Sequence, residues 1–219
     1  DHTLPAFDLS IEPDASGATY PLAAAAIVPG ARVRIPNLAA DRSLQGDVRF
    51  IEVLEEFGAT VRAIAGGIEL LGPPRLCPVD LDLSGMPDTA MTAAVVACFT
   101  QPAETHGQCT TTLRGLRTLR VKESDRLSAL AQELAKIGAK TEVFEDRDDL
   151  APRITPGSSL FVIHANSPLN RVDAASPAQT PAANAAATYP PVTFETYKDH
   201  RLAMACLLYT SPSPRDATL

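Results

Sequence analysis

The eight residues Leu119-Arg120-Val121-Lys122-Glu123-Ser124-Asp125-Arg126 set three cations and two carboxylates side by side. They stand at the head of an apolar-periodic stretch that predicts a helix. Widening the window to Arg114–Arg126 gathers five of the nineteen Lys and Arg into thirteen residues, in a chain of net charge −7. The positive charge is therefore concentrated locally. Arginine offers a planar fork that fits carboxylate and phosphate, and lysine a compact point charge. A carboxylate among such cations is held ionised and oriented, as proton transfer on an anionic substrate requires. The competing reading is a solvated, ion-paired helix start.

Four other stretches carry similar chemistry: Asp14-Ala15-Ser16-Gly17-Ala18-Thr19-Tyr20, Gln45-Gly46-Asp47-Val48-Arg49-Phe50, Gly85-Met86-Pro87-Asp88-Thr89-Ala90-Met91-Thr92 and Thr196-Tyr197-Lys198-Asp199-His200-Arg201. A single hexapeptide match is weak, but five patches in one order are specific. In that order they resemble the signature stretches of the 5-enolpyruvylshikimate-3-phosphate synthase (3-phosphoshikimate 1-carboxyvinyltransferase) family. The resemblance covers the second half of a family member, starts near the return crossing between its two domains and stops before its end. It implies an α/β fold: an enolpyruvyl transferase-like domain of repeated helix-and-sheet units, inverse α/β barrel-like, one of two family domains and incomplete. The first strand, the last helix–strand segment and the partner domain are expected to be absent, which would expose surface meant to be covered.

The resemblance also implies a reaction and roles. The family moves the enolpyruvyl group of phosphoenolpyruvate onto the 5-hydroxyl of shikimate 3-phosphate and releases phosphate, by addition and then elimination. Both substrates are polyanions, so cations must surround a few working carboxylates. Asp88 matches the aspartate at the 5-hydroxyl, as base or relay; its alternative is to N-cap the following helix. Glu123 matches the glutamate that exchanges a proton with the enolpyruvyl carbon; its alternative is a surface pair with Lys122 or Arg126. Lys122 is expected near the attacking hydroxyl. Arg126 and Arg201 resemble the pair that clamps phosphoenolpyruvate, and only the fold can join residues 75 apart. Asp199 is expected to orient Arg201 or hold a substrate hydroxyl, and His200 to support. Asp47 and Arg49 read as structural first, Asp14 and Ser16 as capping residues near the cleft. The sister enolpyruvyl transferase acting on UDP-N-acetylglucosamine fits the Lys-Glu-Ser-Asp-Arg and Asp-His-Arg stretches less well. A non-catalytic anion-binding remnant is the alternative of a different class, because the family's first half supplies a Lys-Ser pair and an Arg that are not visible here. The chain alone is expected to turn over negligibly without that missing N-terminal half.

Composition narrows the rest. The 219 residues are 45% hydrophobic with no Trp, enough for one substantial core built from Ala, Leu, Val and Ile. The acidic balance, with no aromatic residues beside the Arg114–Arg126 cluster, argues against nucleic acid. No apolar run reaches the length of a membrane span. Cys77, Cys98, Cys109 and Cys206 form no C-x-x-C pair and no zinc spacing with His2, His106, His164 or His200. Free thiols, no metal, no cofactor and a cytoplasmic location are the expectation. Asp1 is not a natural start, so an upstream segment is expected.

The elements that must carry these groups repeat a phrase. Tyr20–Val28 predicts an Ala-rich helix stopped by Pro29-Gly30, followed by an alternating strand at Ala31–Ile35. Asp47–Phe57 predicts a helix with a Val48, Ile51, Leu54, Phe57 stripe, then Gly58-Ala59 and a strand at Thr60–Ile64. Asp125–Ile137 repeats it, with Leu127, Leu130, Leu134 and Ile137, then Gly138-Ala139 and a strand at Thr141–Phe144. Between them Met91–Phe99 predicts an apolar helix. The expected division is residues 1–164 as the domain, 165–191 as a flexible insertion with nine Ala and five Pro, 192–206 as a return to the domain, and 207–219 as a non-native tail. The resemblance implies that the family's continuation, with a C-terminal lysine used near phosphoenolpyruvate, is expected to be absent there.

Overall fold

The computed structural model describes residues 8, 11–102, 109–144, 159–164 and 192–210. Helix α1 (Ala15–Ile27) opens five residues ahead of the predicted start and carries Pro21 inside it. Asp14 holds the N-cap position but makes no capping bond with its side chain. Ala15, Ala18, Leu22, Ala23, Ala25 and Ala26 of α1 are buried, and such small side chains let neighbouring elements approach closely.

The chain then builds a three-stranded antiparallel sheet from β1 (Arg32–Pro36), β2 (Thr60–Ile64) and β3 (Gly67–Leu71), in the order β1-β3-β2. The predicted helix over 47–57 divides into a 3₁₀ turn at Gly46–Arg49 and helix α2 (Phe50–Glu56). That break moves the buried stripe to Val48, Phe50, Val53, Leu54 and Phe57, leaving Ile51 half-buried. Three-residue spacing is a poor guide where the winding changes from 3₁₀ to α.

A second, four-stranded sheet has the order β4-β5-β7-β6, from β4 (Asp80–Asp82), β5 (Thr110–Arg114), β6 (Thr141–Phe144) and β7 (Leu160–His164). Its β4–β5 pair is parallel and the other pairs antiparallel. All eight residues of α3 (Ala90–Ala97) are buried, and α3 packs against α1, β5, β7, α4 (Arg126–Lys136) and α5 (His200–Thr210). A helix with no solvated face belongs at the centre, with sheets to the outside.

The repeated phrase is present. Each of α2 and α4 stops at a glycine, Gly58 at φ 109° and Gly138 at φ 80°, and runs into an antiparallel strand. This left-handed backbone suits glycine because a Cβ there would crowd the carbonyl. In α4 the buried face holds Leu127, Leu130 and Leu134 as expected, but Arg126 and Glu133 share it.

The predicted boundary after Cys206 falls inside α5, which runs unbroken to Thr210, with Leu208 packed on the core. The Ala/Pro-rich residues 165–191 lie outside the described residues, as do 211–219. Of the four cysteines, Cys98 is buried, Cys206 half-buried, and Cys77 and Cys109 exposed. Among the described residues no helix is long and apolar enough to cross a membrane.

Candidate functional site

The charged run divides at the mouth of α4. A 3₁₀ turn at Arg117–Val121 delivers it there. Asp125 then N-caps α4, accepting from the Ser128 N–H at 3.1 Å, and also accepts from Arg120 Nη1 at its two oxygens, at 3.0 and 2.7 Å. Burial pushes the Asp125 carboxyl up, but the Ser128 and Arg120 donors outweigh it and hold it below its ordinary value. Arg120 and Asp125 are thus the ion-paired helix start that the competing reading describes. Lys122, Glu123, Ser124 and Arg126 turn the other way.

Arg126 is the hub. Its Nε donates to Asp199 Oδ2 at 2.7 Å and its Nη2 to Asp199 Oδ1 at 3.2 Å. Nη1 donates to Asp88 Oδ1 at 2.9 Å, and Nη2 to Glu123 Oε2 at 2.6 Å. The Arg126 side chain is 1% exposed and that of Asp199 0%. A guanidinium so deeply buried is tolerable only when carboxylates replace its water. Burial pulls the Arg126 pKa down, but the Asp199 hydrogen bond and the charges of Asp199, Glu123 and Asp88 win and raise it. Burial likewise pushes Asp199 up, and Arg126, Ser124 and the Leu202 N–H more than reverse it, so Asp199 sits below its ordinary value.

Asp88 connects the hub to two further cations. Lys122 Nζ lies 3.3 Å from its Oδ1, and Arg201 Nη2 lies 3.7 Å from its Oδ2. Asp88 belongs to a 3₁₀ turn at Pro87–Thr89, and Thr89 takes the N-cap position of α3. The helix-cap reading of Asp88 is therefore replaced by a three-cation contact. Asp199 has the capping role at α5 instead, accepting from the N–H groups of Arg201 at 3.0 Å and Leu202 at 3.4 Å. The same carboxylate binds Arg126 and starts the helix that carries Arg201.

Asp88, Lys122, Glu123, Arg126, Asp199 and Arg201 thus form one ion-pair network. His200 opens α5 with an exposed side chain. The family resemblance has Arg126 clamp a ligand, yet its nitrogens are engaged by protein carboxylates. The more accessible cations are Lys122, 35% exposed, and Arg201, 18%. Sequence reasoning gives Ser16 and Asp47 too little weight. Arg201 Nη1 is 3.9 Å from Asp47 Oδ2, Arg201 Nη2 is 3.4 Å from Ser16 Oγ, and the Ser16 hydroxyl donates to Asp47. It gives no role to Ser124, whose hydroxyl donates to Asp199 at 3.1 Å. The place of Ser124 between Glu123 and Arg126 is the available signal. Arg49, by contrast, makes an exposed pair with Glu52 at 3.2 Å.

The network holds three cations, Lys122, Arg126 and Arg201, against four carboxylates, Asp47, Asp88, Glu123 and Asp199. Among the described residues no group of three or more His, Cys, Asp or Glu is arranged to hold a metal ion.

A family model described as EPSP synthase (3-phosphoshikimate 1-carboxyvinyltransferase) matches residues 1–212. A 3-phosphoshikimate 1-carboxyvinyltransferase from Herminiimonas arsenicoxydans is 37% identical over 202 residues, covering 92% of this chain and 36% of the relative. One from Pseudoalteromonas atlantica is 44% identical over 154 residues, covering 70% of this chain and 33% of the relative. The chain thus spans about a third of the length of these curated relatives. Among solved structures, the EPSP synthase from Acinetobacter baumannii superposes with a TM-score of 0.56 at 22% identity, over 90% of this chain and 39% of that one. The enolpyruvyl transferase NikO from Streptomyces tendae gives a TM-score of 0.50 at 16% identity, over 74% of this chain and 32% of that one. Both likenesses bear on the fold.

Proposed function

The chain belongs to the EPSP synthase family, and on that premise we propose that it is one part of an enzyme that transfers the enolpyruvyl group of phosphoenolpyruvate to the 5-hydroxyl of shikimate 3-phosphate and releases phosphate. The observation that carries this is the meeting of three remote stretches, around residues 88, 122–126 and 199–201, in one network.

Asp88, on three cations, receives the proton leaving the 5-hydroxyl directly or through a relay, and Lys122 beside it steadies the oxygen as negative charge develops. The attacking oxygen bonds to the central carbon of phosphoenolpyruvate while the methylene carbon takes a proton, which forms the tetrahedral intermediate. Loss of a methyl proton then restores the double bond as phosphate departs. Glu123 moves the carbon-bound proton in both steps. It is 49% exposed, the loosest of the Arg126 partners. An incoming anion displaces it from Arg126 Nη2 and satisfies the guanidinium; Glu123, released from that cation, takes up the proton that it gives to the methylene carbon in the addition and takes one back from the methyl group in the elimination. Arg201 completes the grip on the anion, and Asp199 keeps both arginines in place from a fully buried position. His200 supports from the rim.

Three cations against four carboxylates leave no positive surplus for two polyanions, so these residues alone hold the substrates poorly. The remaining cations come from the rest of the enzyme. A chimera provides the test, with this chain replacing the matching stretch of the Herminiimonas arsenicoxydans relative. The chimera should release phosphate from the two substrates, and the 219-residue chain alone should release almost none. Glu123→Gln in the chimera should lower kcat with little change in KM. Unchanged kinetics in both Glu123→Gln and Asp88→Asn chimeras would refute the assigned roles.

A further inference from the structure

Away from the network, α4 carries a second buried charge. The Glu133 side chain is 1% exposed, and both of its oxygens are occupied. Lys136 Nζ donates to Oε1 at 2.8 Å and to Oε2 at 2.6 Å. The Tyr197 hydroxyl lies 3.1 Å from Oε1, and the backbone N–H of Glu195 donates to Oε2 at 3.0 Å. Lys136 Nζ reaches on to the carbonyl of Thr193 at 3.1 Å, and the Tyr197 hydroxyl lies 2.8 Å from Gln132 Oε1. Three backbone or side-chain groups of residues 193–197 are therefore tied to one face of α4.

This strap leads into backbone that resists its own conformation. Tyr197 and Lys198 stand at φ 54° and 58°, two consecutive left-handed residues without a glycine. L-residues avoid that region because Cβ crowds the carbonyl, so neighbouring structure must enforce it. The next residue is Asp199, whose N–H closes the turn on the Thr196 carbonyl at 2.8 Å and whose carboxylate grips Arg126. Arg126 and Glu133 lie seven residues apart, two helical turns, on the same buried face of α4. The length of chain from 193 to 199 is thus fastened at both ends to a single helix.

We propose that Glu133, Lys136 and Tyr197 form a positioning clasp that holds the left-handed turn at 197–198, and so sets Asp199 and Arg201 against Arg126 and Asp88. None of the three reaches the network itself. Their effect on a bound anion rests on the functional reading above, whereas their effect on Asp199 does not.

The test uses the 219-residue chain labelled with nitrogen-15. The Arg126 Nε–H, buried in its bond to Asp199, should give a slowly exchanging signal. Tyr197→Phe, which keeps the ring and removes the hydroxyl, should cause that signal to be lost to fast exchange while the remaining spectrum stays that of a folded protein. Glu133→Gln should do the same. Adding Lys198→Gly to Tyr197→Phe should restore the signal, because glycine takes the left-handed conformation at 198 without strain and leaves only residue 197 to be held. The remaining spectrum staying that of a folded protein is what separates this from a general loss of stability. Retention of the Arg126 signal in Tyr197→Phe, or failure of Lys198→Gly to restore it, would overturn the clasp. Neither outcome depends on whether the chain takes part in enolpyruvyl transfer, which the chimera decides separately.

Discussion

Removing the guanidinium of Arg126 is the most informative perturbation of this molecule, because both members of its closest pair are shut away from water. Arg126→Met leaves Asp199, 0% exposed, with only the Ser124 hydroxyl and two backbone donors. Stranding a buried charge in this way costs about 3–5 kcal/mol. Asp199→Asn is milder, about 1.5–3 kcal/mol, because Arg126 keeps Asp88 and Glu123 and asparagine still caps α5. The double variant strands nothing at this pair, so it should cost less than the sum, with a coupling of about 2 kcal/mol. At about 2–4 °C per kcal/mol for a chain of this size, the loss of 3 kcal/mol in Arg126→Met lowers Tm by about 6–12 °C. The assay is urea unfolding of the four proteins at pH 7 and again under acid conditions. Asp199 is held below its ordinary value when folded, so its contribution is fully present above the unfolded value, about 3.9, and fades as pH falls through the lower folded value. Wild type should therefore lose stability in acid more steeply than Asp199→Asn. Additive single costs at pH 7, to within about 0.5 kcal/mol, would refute the argument that burial makes this pair cooperative.

Three other perturbations probe the charge balance, the packing and the thiols. Asp88→Asn removes one of four carboxylates from the network, so the chain should bind inorganic phosphate more tightly by about 1 kcal/mol, roughly fivefold, at low salt, with calorimetric titration as the check and weaker binding as the contrary result. Gly72→Ala places a Cβ against the carbonyls of Ala25 and Val28, and since backbone cannot yield as a side chain does, urea unfolding should show a loss of about 2 kcal/mol or more. Burial pushes the Cys206 thiol up to about 11, so alkylation near neutral pH, followed by mass spectrometry, should mark the exposed Cys77 and Cys109 well before Cys206.

Much of the site is legible in the sequence because local chemistry betrays it. Lys122-Glu123-Ser124-Asp125-Arg126 announces a charge concentration, and Gly58 and Gly138 mark where two similar units end. The partners of each charge are not legible. Asp125 and Glu123 stand two residues apart, yet one caps α4 on its solvent side and the other meets the buried guanidinium. That choice depends on where Asp88 and Asp199 arrive, 38 and 73 residues away in sequence from Arg126. A finer signal lies in the helical wheel of α4, where Arg126 and Glu133 fall on the Leu127, Leu130, Leu134 face. A charge on an apolar stripe implies a buried partner. Strand β5 escapes for a different reason. Thr-Thr-Thr-Leu-Arg has little apolar alternation, and its place in the sheet comes from pairing with β4 and β7.

The charge balance determines what kind of binding this network can perform. An open cluster of cations captures an anion by simple attraction, and its affinity falls steeply with salt. Here every nitrogen of Arg126 already has a carboxylate within 3.2 Å. Binding must therefore be an exchange, in which a ligand oxygen replaces a protein oxygen and the displaced carboxylate returns to water. The exchange is cheapest for Glu123, which is half-exposed, and most costly for Asp199, which also caps α5. Affinity in such a site is a small difference between two similar contacts, while the arrangement of the arginines is fixed in advance. The network gives up strength of binding in return for orientation, and in the proposed reaction orientation is what brings Asp88 and Glu123 to bear on the reacting atoms.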